Sequence, residues 1–253
     1  MPRIHHAQQE IQFKVVYYGP GLGGKTTNLE QIHKRSNPAH RGKLVSLTTE
    51  SERTLFFDLL PIELGTFRDY QVRVHLCTVP GQIALDETRR LVLRNVDGIV
   101  FVVDSQPERL DANTMSLRNL EANLLLQGDD PSRMPLVVQY NKRDLPRALS
   151  TAVLRKELGI SDDVKQVEAA AVRGDGVFET FKEITKACMA VVGDPREKPE
   201  GRSISSLPDA LNASLFPLAA AGPVEEDVAR NYAARYGVEI AKAPRVPRFG
   251  AAS

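Results

Sequence analysis

The sequence predicts an α/β fold, in which a mostly parallel sheet carries helices on both faces. Strand-like and helix-like segments alternate from Ile11 to about Val192, and this alternation is typical of a sheet covered by helices. Two strand-like segments, Gly98–Val103 and Leu136–Tyr140, are continuous apolar runs. Such runs are expected where a parallel strand is buried on both sides.

The individual elements follow from periodicity and from the residues at their ends. Apolar residues spaced three and four apart predict helices, and alternation with period two predicts a strand with one wetter face. Alternatively, the segments 43–47 and 72–79 could pair as antiparallel strands at the edge of the sheet. The predicted strands are Ile11–Tyr18, Val72–Cys77, Gly98–Val103 and Leu136–Tyr140, and the predicted helices are Lys25–Arg35, Glu108–Gln127 and Val177–Val192.

Composition places the chain among ordinary globular proteins. Of 253 residues, 42% are hydrophobic and 26% are charged, with a formal net charge of +1. This balance predicts neither nucleic acid nor an anionic membrane as a partner. Cys77 and Cys188 are expected to be buried thiols in a reducing cytoplasm. We expect no signal peptide, transmembrane segment or lipid anchor, because Pro2 excludes myristoylation and the final residues lack a prenylation cysteine.

The composition of the chain changes after Asp194, where prolines begin to separate short Ala/Ser/Leu stretches. This change predicts a domain followed by an extension. Residues 1–194 form the predicted domain, and residues 195–253 form a Pro/Ala-rich extension that we expect to be loosely ordered. Pro223 could begin a short helix over 224–236 that Gly237 would end. That helix could dock on its own domain, or it could bind a partner or cover the functional site.

A glycine-rich loop lies between the first predicted strand and the first predicted helix. It has the pattern G-x-x-x-x-G-K-[ST], in which backbone N–H groups and the helix N-terminus surround phosphates. The lysine adds a cation for the outer phosphates, and the following threonine hydroxyl can ligate Mg²⁺. The residues expected to bind nucleotide phosphates here are Gly19, Gly21, Leu22, Gly23, Gly24, Lys25, Thr26 and Thr27.

A second motif, Asn141-Lys142-Arg143-Asp144, follows the strand that ends at Tyr140. The Asp144 carboxylate can accept hydrogen bonds from the N1–H and N2–H₂ of guanine, a donor pair that adenine lacks. The Lys142 stem can lie along the base, and Asn141 can tie this loop to the phosphate loop. After the next strand, the backbone N–H of Ala171 could donate to the guanine carbonyl. The motif therefore predicts GTP/GDP as the ligand.

A third motif, Thr78-Val79-Pro80-Gly81-Gln82, closes the strand that begins at Val72. The N–H of Gly81 can reach a γ-phosphate, and Gln82 can orient an attacking water. The motif therefore predicts that the bound GTP is hydrolysed.

From Ile11 to Val192 the chain resembles the Ras-like small GTPases and, more closely, the bacterial gliding-motility MglA-type GTPases. The resemblance implies a P-loop small GTPase (Ras-like) fold, GTP/GDP and Mg²⁺ as ligands, and hydrolysis that is slow without an activating partner. Its motifs are 17–29, Arg53-Thr54-Leu55-Phe56-Phe57-Asp58, 78–82 and Tyr140-Asn141-Lys142-Arg143-Asp144-Leu145-Pro146.

The resemblance also implies residue roles and partners. Thr54 would ligate Mg²⁺ together with Thr26, Arg53 would act in cis as the catalytic arginine, and Gln82 would position water. Most small GTPases begin the third motif with aspartate, whereas this chain has Thr78, as the MglA type does; we expect less negative charge around the metal. The implied activator is a homodimeric Roadblock-fold (MglB-like) protein. The implied location is the cytoplasm, with recruitment to a pole or membrane by partners.

Two other functions compete with a hydrolysing switch. A nucleotide-binding scaffold with little turnover could recruit partners through the extension, although Gly81, Gln82 and Thr54 argue against it. A small-molecule kinase could use the same phosphate loop. The base motif 141–144 and the lack of a recognisable acceptor lid argue against the kinase.

Overall fold

The computed structural model describes residues 2–47, 57–81 and 85–192. Eight strands form one mixed sheet in the order β3-β4-β5-β2-β6-β7-β8, with β1 added beside β2. The strands are β1 Arg3–His5, β2 Glu10–Tyr18, β3 Val45–Leu47, β4 Phe57–Phe67, β5 Tyr70–Thr78, β6 Gly98–Asp104, β7 Leu136–Asn141 and β8 Lys165–Glu168. The helices are α1 Lys25–Arg35, α2 Asp86–Leu93, α3 Leu110–Leu126, α4 Thr151–Leu158 and α5 Val177–Val192.

Strand direction divides the sheet into two parts. Strands β5, β2, β6, β7 and β8 pair in parallel, whereas β3, β4 and β1 pair antiparallel with their neighbours. The predicted mostly parallel sheet is therefore confirmed.

Helices cover both faces of the sheet, as predicted. Side chains of α1 and α5, such as Leu29 and Ile184, share one buried cluster. Side chains of α2, α3 and α4, such as Val92 and Leu120, share the other cluster. Strand β2 contributes alternate residues to the two clusters, because successive side chains of a strand point to opposite faces.

The helices predicted at 25–35 and 177–192 have the predicted bounds. The predicted antiparallel pair between 43–47 and 72–79 is wrong, because β4 lies between them and pairs with both β3 and β5. Pro61 and Gly65 interrupt the strand signal of β4, and Gly65 sits at a bulge with φ of 87°. Proline and glycine usually mark strand ends or bulges, which is why the sequence did not indicate this strand.

The carboxyl ends of the parallel strands meet at one edge of the sheet, which is where ligands of open α/β sheets bind. Strand β2 leads there into the glycine-rich loop, β5 into Gly81, β6 into Ser105 and β7 into Lys142. In the described part of the chain, none of the helices has both the length and the apolarity that crossing a bilayer would need. The two-part division at residue 194 stays a prediction, because 195–253 and the helix predicted at 224–236 lie outside the described residues.

Candidate functional site

The glycine-rich loop joins the end of β2 to the start of α1, as the sequence predicts. Gly24 precedes α1 with φ of 96°, a left-handed conformation that glycine adopts without strain. A side chain on Gly24 would collide with the amide of Asn141, and one on Gly19 would collide with the Val102 carbonyl. Glycine is thus required at both ends of the loop by backbone conformation and by close neighbours.

Lys25 folds back over this loop. Its side chain is almost buried, with 6% exposure, and its Nζ donates to the carbonyl oxygens of Gly19 at 2.9 Å and Pro20 at 2.7 Å. Burial is the main cause that lowers the pKa of Lys25 to about 8, and the charges of Arg89 and Arg109 contribute to the same shift. A buried ammonium with cations nearby favours an anionic ligand such as a phosphate chain.

Exposure varies along the rest of the loop. The Leu22 side chain is 88% exposed and its φ is 62°, whereas Gly19, Pro20 and Gly23 are buried. The side chain of Thr27 is half-buried in the first turn of α1.

At the other end of the site, Asn141 connects three loops. Its Nδ2 donates to the Gly23 carbonyl at 2.8 Å, and its Oδ1 accepts from the Ala171 backbone N–H at 2.9 Å. The side chain is 2% exposed, so both bonds are shielded from water. The expected tie between the base motif and the phosphate loop is therefore present, and it extends to the loop of Ala171.

The two charged residues of the base motif differ in their contacts. Lys142 has φ of 64°, and its Nζ donates to Asp104 Oδ2 at 2.6 Å and to Gln106 Oε1 at 3.0 Å. Asp144 is half-buried, and among the described residues no group donates a hydrogen bond to its carboxylate. The carboxylate that is expected to read guanine is therefore available to a base.

Three residues at the end of β6 and shortly after it belong to this site but were missed by the sequence analysis: Asp104, Gln106 and Arg109. The Asp104 side chain is fully buried, and its carboxylate also lies 3.7 Å from Arg109 Nε. Arg109 Nη2 donates to the Gly21 carbonyl at 2.6 Å. Asp104 thus links the base motif to the phosphate loop by a second route. Their position at or near the carboxyl end of a central parallel strand was the signal that could have identified them.

A further missed residue is Arg89 of α2. It is buried, with its Nη2 3.2 Å from Asp86 Oδ1, and it is close enough to Lys25 to lower its pKa. A single arginine in a helix carries no local sequence signal, so only the packing of α2 reveals it.

The third motif lies against the phosphate loop. Thr78 ends β5 and is buried. Gly81 packs so closely on the loop that a Cβ there would overlap the backbone of Gly21. Gly81 therefore lies beside the phosphate loop, and the contact of its N–H with a γ-phosphate stays a prediction.

Oxygen atoms gather where the sequence predicts a metal. The Thr26 hydroxyl donates to Asp58 Oδ2 at 2.8 Å, and the Thr78 hydroxyl donates to the same oxygen at 3.0 Å. Hydroxyl and carboxylate oxygens fit Mg²⁺, which is a hard cation. Among the described residues, no group of three or more His, Cys, Asp or Glu side chains is placed so that it could hold a metal ion.

Other predicted site residues fall outside the described residues. These are Arg53, Thr54 and Gln82. Their catalytic and metal-binding roles stay predictions.

Comparisons with known proteins show the family of this chain. The model of the ADP-ribosylation factor family matches residues 3–188, a span that contains all the predicted site residues. The mutual gliding-motility protein MglA of Myxococcus xanthus is 50% identical over 186 residues, which are 74% of this chain and 95% of that protein. ADP-ribosylation factor-like protein 1 of Saccharomyces cerevisiae is 29% identical over 172 residues, covering 66% of this chain and 83% of that protein. ADP-ribosylation factor-related protein 1 of Bos taurus is 25% identical over 205 residues, covering 78% and 94%.

Proposed function

This chain belongs to the ADP-ribosylation factor family and, within the Ras-like small GTPases, to the MglA type. On that premise we propose that it is a switch for cell polarity or motility. It binds GTP and GDP and hydrolyses GTP. The link to polarity or motility rests on the name of the Myxococcus relative, which is half identical to this chain.

The observation that supports guanine-nucleotide binding best is the pair of hydrogen bonds that the Asn141 side chain makes. It fastens the base motif to Gly23 of the phosphate loop and to Ala171, so the groups for base and phosphates belong to one connected site. Asp144 would accept from the guanine N1–H and N2–H₂, and the Ala171 loop would face the guanine carbonyl. Lys25 would leave its loop carbonyls for the β- and γ-phosphates.

For hydrolysis we propose Arg53 and Gln82 as the catalytic residues. Gln82 would orient the attacking water, and Arg53 would stabilise the charge that grows on the transferring phosphoryl group. Gly81 would donate its N–H to the γ-phosphate. Thr26 and Thr54 would hold Mg²⁺, which neutralises phosphate charge when it is bound.

We also propose a Roadblock-fold, MglB-like protein as the activator. Because Arg53 is proposed to act in cis, the partner would accelerate hydrolysis by repositioning Arg53 and Gln82 without supplying an arginine. A cytoplasmic protein recruited to a pole or membrane by partners fits this scheme.

Single-turnover GTP hydrolysis of Arg53→Ala and Gln82→Ala, with and without an MglB-like protein, tests the proposal. Each variant should keep its GDP affinity, and loss of Arg53 should slow activated hydrolysis on the order of a thousandfold. Arg118→Ala on the exposed surface of α3 is the control. Parent-like hydrolysis by Arg53→Ala would assign the arginine to the partner.

A further inference from the structure

Asp58 is the meeting point of four structural elements. Its carboxylate accepts from the hydroxyls of Thr26 in α1 at 2.8 Å, Thr78 in β5 at 3.0 Å and Ser46 in β3 at 2.8 Å. The Asp58 backbone N–H donates in turn to Thr78 Oγ1 at 2.9 Å. No other carboxylate in the described parts of the chain bonds the threonine of the phosphate loop.

Strand register brings this carboxylate to the loop. Strand β4 is antiparallel to β5, with Leu59 paired to Cys77, and antiparallel to β3, with Ser46 paired to Asp58. Side chains opposite each other on antiparallel strands lie about 4.5–5.5 Å apart at Cβ. Asp58 and Thr78 are therefore cross-strand neighbours, and a carboxylate on β4 reaches the place that the side chain of Thr78 occupies.

The hydrogen bond from Thr26 also has a chemical consequence. A hydroxyl has one proton and two lone pairs. Thr26 gives its proton to Asp58, so its lone pairs are directed elsewhere and are free to ligate a cation. Carboxylates commonly orient metal ligands in this way, and they raise the ligand's electron density.

Thr78 is neutral, and the sequence alone therefore led to the expectation of less negative charge around the metal. We propose that Asp58 supplies, from β4, the carboxylate for Mg²⁺ that most small GTPases carry at the start of the third motif. Asp58 is a positioning residue that orients Thr26 and Thr78, and it adds one negative charge beside the cation. This inference rests on the proposed Mg²⁺ site of Thr26.

The charge of Asp58 is felt at the phosphate end, where it raises the pKa of Lys25 against the lowering effects of burial and the two arginines. The same location holds the Thr26 hydroxyl proposed as a metal ligand. Asp58 thus acts both on the lysine proposed for the phosphates and on the hydroxyl proposed for the metal.

The experiment measures release of fluorescent GDP during titration with Mg²⁺ and after its removal by EDTA. In the parent, Mg²⁺ should slow release. Asp58→Asn has nearly the same shape without the charge, and its Mg²⁺ midpoint should rise about 10- to 100-fold, as is typical when a residue that orients metal ligands is lost. Its release rate in EDTA should equal that of the parent, which would show an intact nucleotide site.

A charge swap sharpens this test. The double variant Asp58→Asn with Thr78→Asp returns a carboxylate to the same position from β5, and it should recover the midpoint of the parent. Asp111→Asn on the exposed surface of α3 is the control and should match the parent. If Asp58→Asn does not fold, the double variant decides alone, because a midpoint raised tenfold there would overturn the inference.

Two failures are distinguishable. A parent whose GDP release ignores Mg²⁺ would overturn the proposed metal site together with this inference. A parent that responds to Mg²⁺ while Asp58→Asn titrates like the parent would overturn the role of Asp58 and leave the metal site of Thr26 standing.

Discussion

The base end and the phosphate end of the site are built differently. At the base end, Asn141 and Lys142 hold three loops together through bonds that leave Asp144 available to a ligand. At the phosphate end, Lys25 is bonded to its own loop and Asp58 to neighbouring hydroxyls. The first end is arranged for its ligand in advance, whereas at the second Lys25 would exchange its bonds to the loop carbonyls for bonds to phosphates.

This difference suits a switch. A ligand shifts a conformational equilibrium only through contacts that differ between two states. A base end that stays constant would hold GDP and GTP alike. A phosphate end whose bonds must be exchanged would respond to the γ-phosphate, and Gly81, packed on Gly21, lies where that response would begin.

Asp144→Asn tests the base end and should have the largest effect of the three variants or conditions considered in this comparison. Two hydrogen bonds to a carboxylate, each worth about 1.5–3 kcal/mol, would be lost, so GDP affinity should fall on the order of a hundredfold or more. Xanthosine diphosphate has a C2 carbonyl that can accept from the new amide, and it should bind the variant better than the parent. Titration of both nucleotides checks this, and unchanged GDP affinity would remove Asp144 from the base site.

The pH dependence of GDP affinity tests the phosphate end. The pKa of Lys25 is about 8 when it is bonded to the loop carbonyls, and phosphates should raise it. Below pH 8 the ammonium is charged in both states, so affinity should be constant. Above pH 8 binding must take up a proton, so affinity should fall by up to about tenfold per pH unit.

Titrations between pH 7 and 9 measure this slope. Asp144→Asn is the matched control, because its defect lies at the base end and its weaker binding should keep the same slope. A flat profile for the parent would show that phosphates do not draw a proton onto Lys25.

Arg109→Ala tests the link between the two ends and should have the smallest effect. It removes the bond to Gly21 and the ion pair with Asp104, and because the side chain is one-third exposed we expect GDP release to quicken only about three- to tenfold. Arg109→Lys keeps the charge but not the two-sided contact, and should be intermediate. Stopped-flow measurement gives the rate of GDP release for both variants, with Arg118→Ala as control. Equal rates for all three and the parent would exclude a link through Arg109 between the two ends of the site.

Local patterns in the sequence predicted much of this molecule correctly. Helix formers without proline after the phosphate loop predicted α1 with its bounds, and continuous apolar runs predicted β6 and β7. The position of Asn141 at the end of β7 predicted its bond to the phosphate loop. In each case the deciding information lies within about a dozen neighbouring residues.

The missed features depend on residues that are distant along the chain. The sequence did not predict strand β4, because Pro61 and Gly65 weaken its local strand pattern. Its backbone hydrogen bonds come instead from pairing with β3 and β5. Arg109 reaches Gly21 across 88 positions. Nothing in the immediate surroundings of Arg109 in the sequence indicates that contact.

The sequence by itself determined the ligand class, because the phosphate loop and the base motif are short segments whose chemistry is carried by adjacent residues. Only the tertiary structure decided where the negative charge beside Thr26 comes from. Thr78 alone indicated a site with less charge, and the register of two antiparallel strands placed Asp58, 20 positions away, against it. Register is fixed by the packing of whole strands, so no local pattern could have shown that a carboxylate lies there.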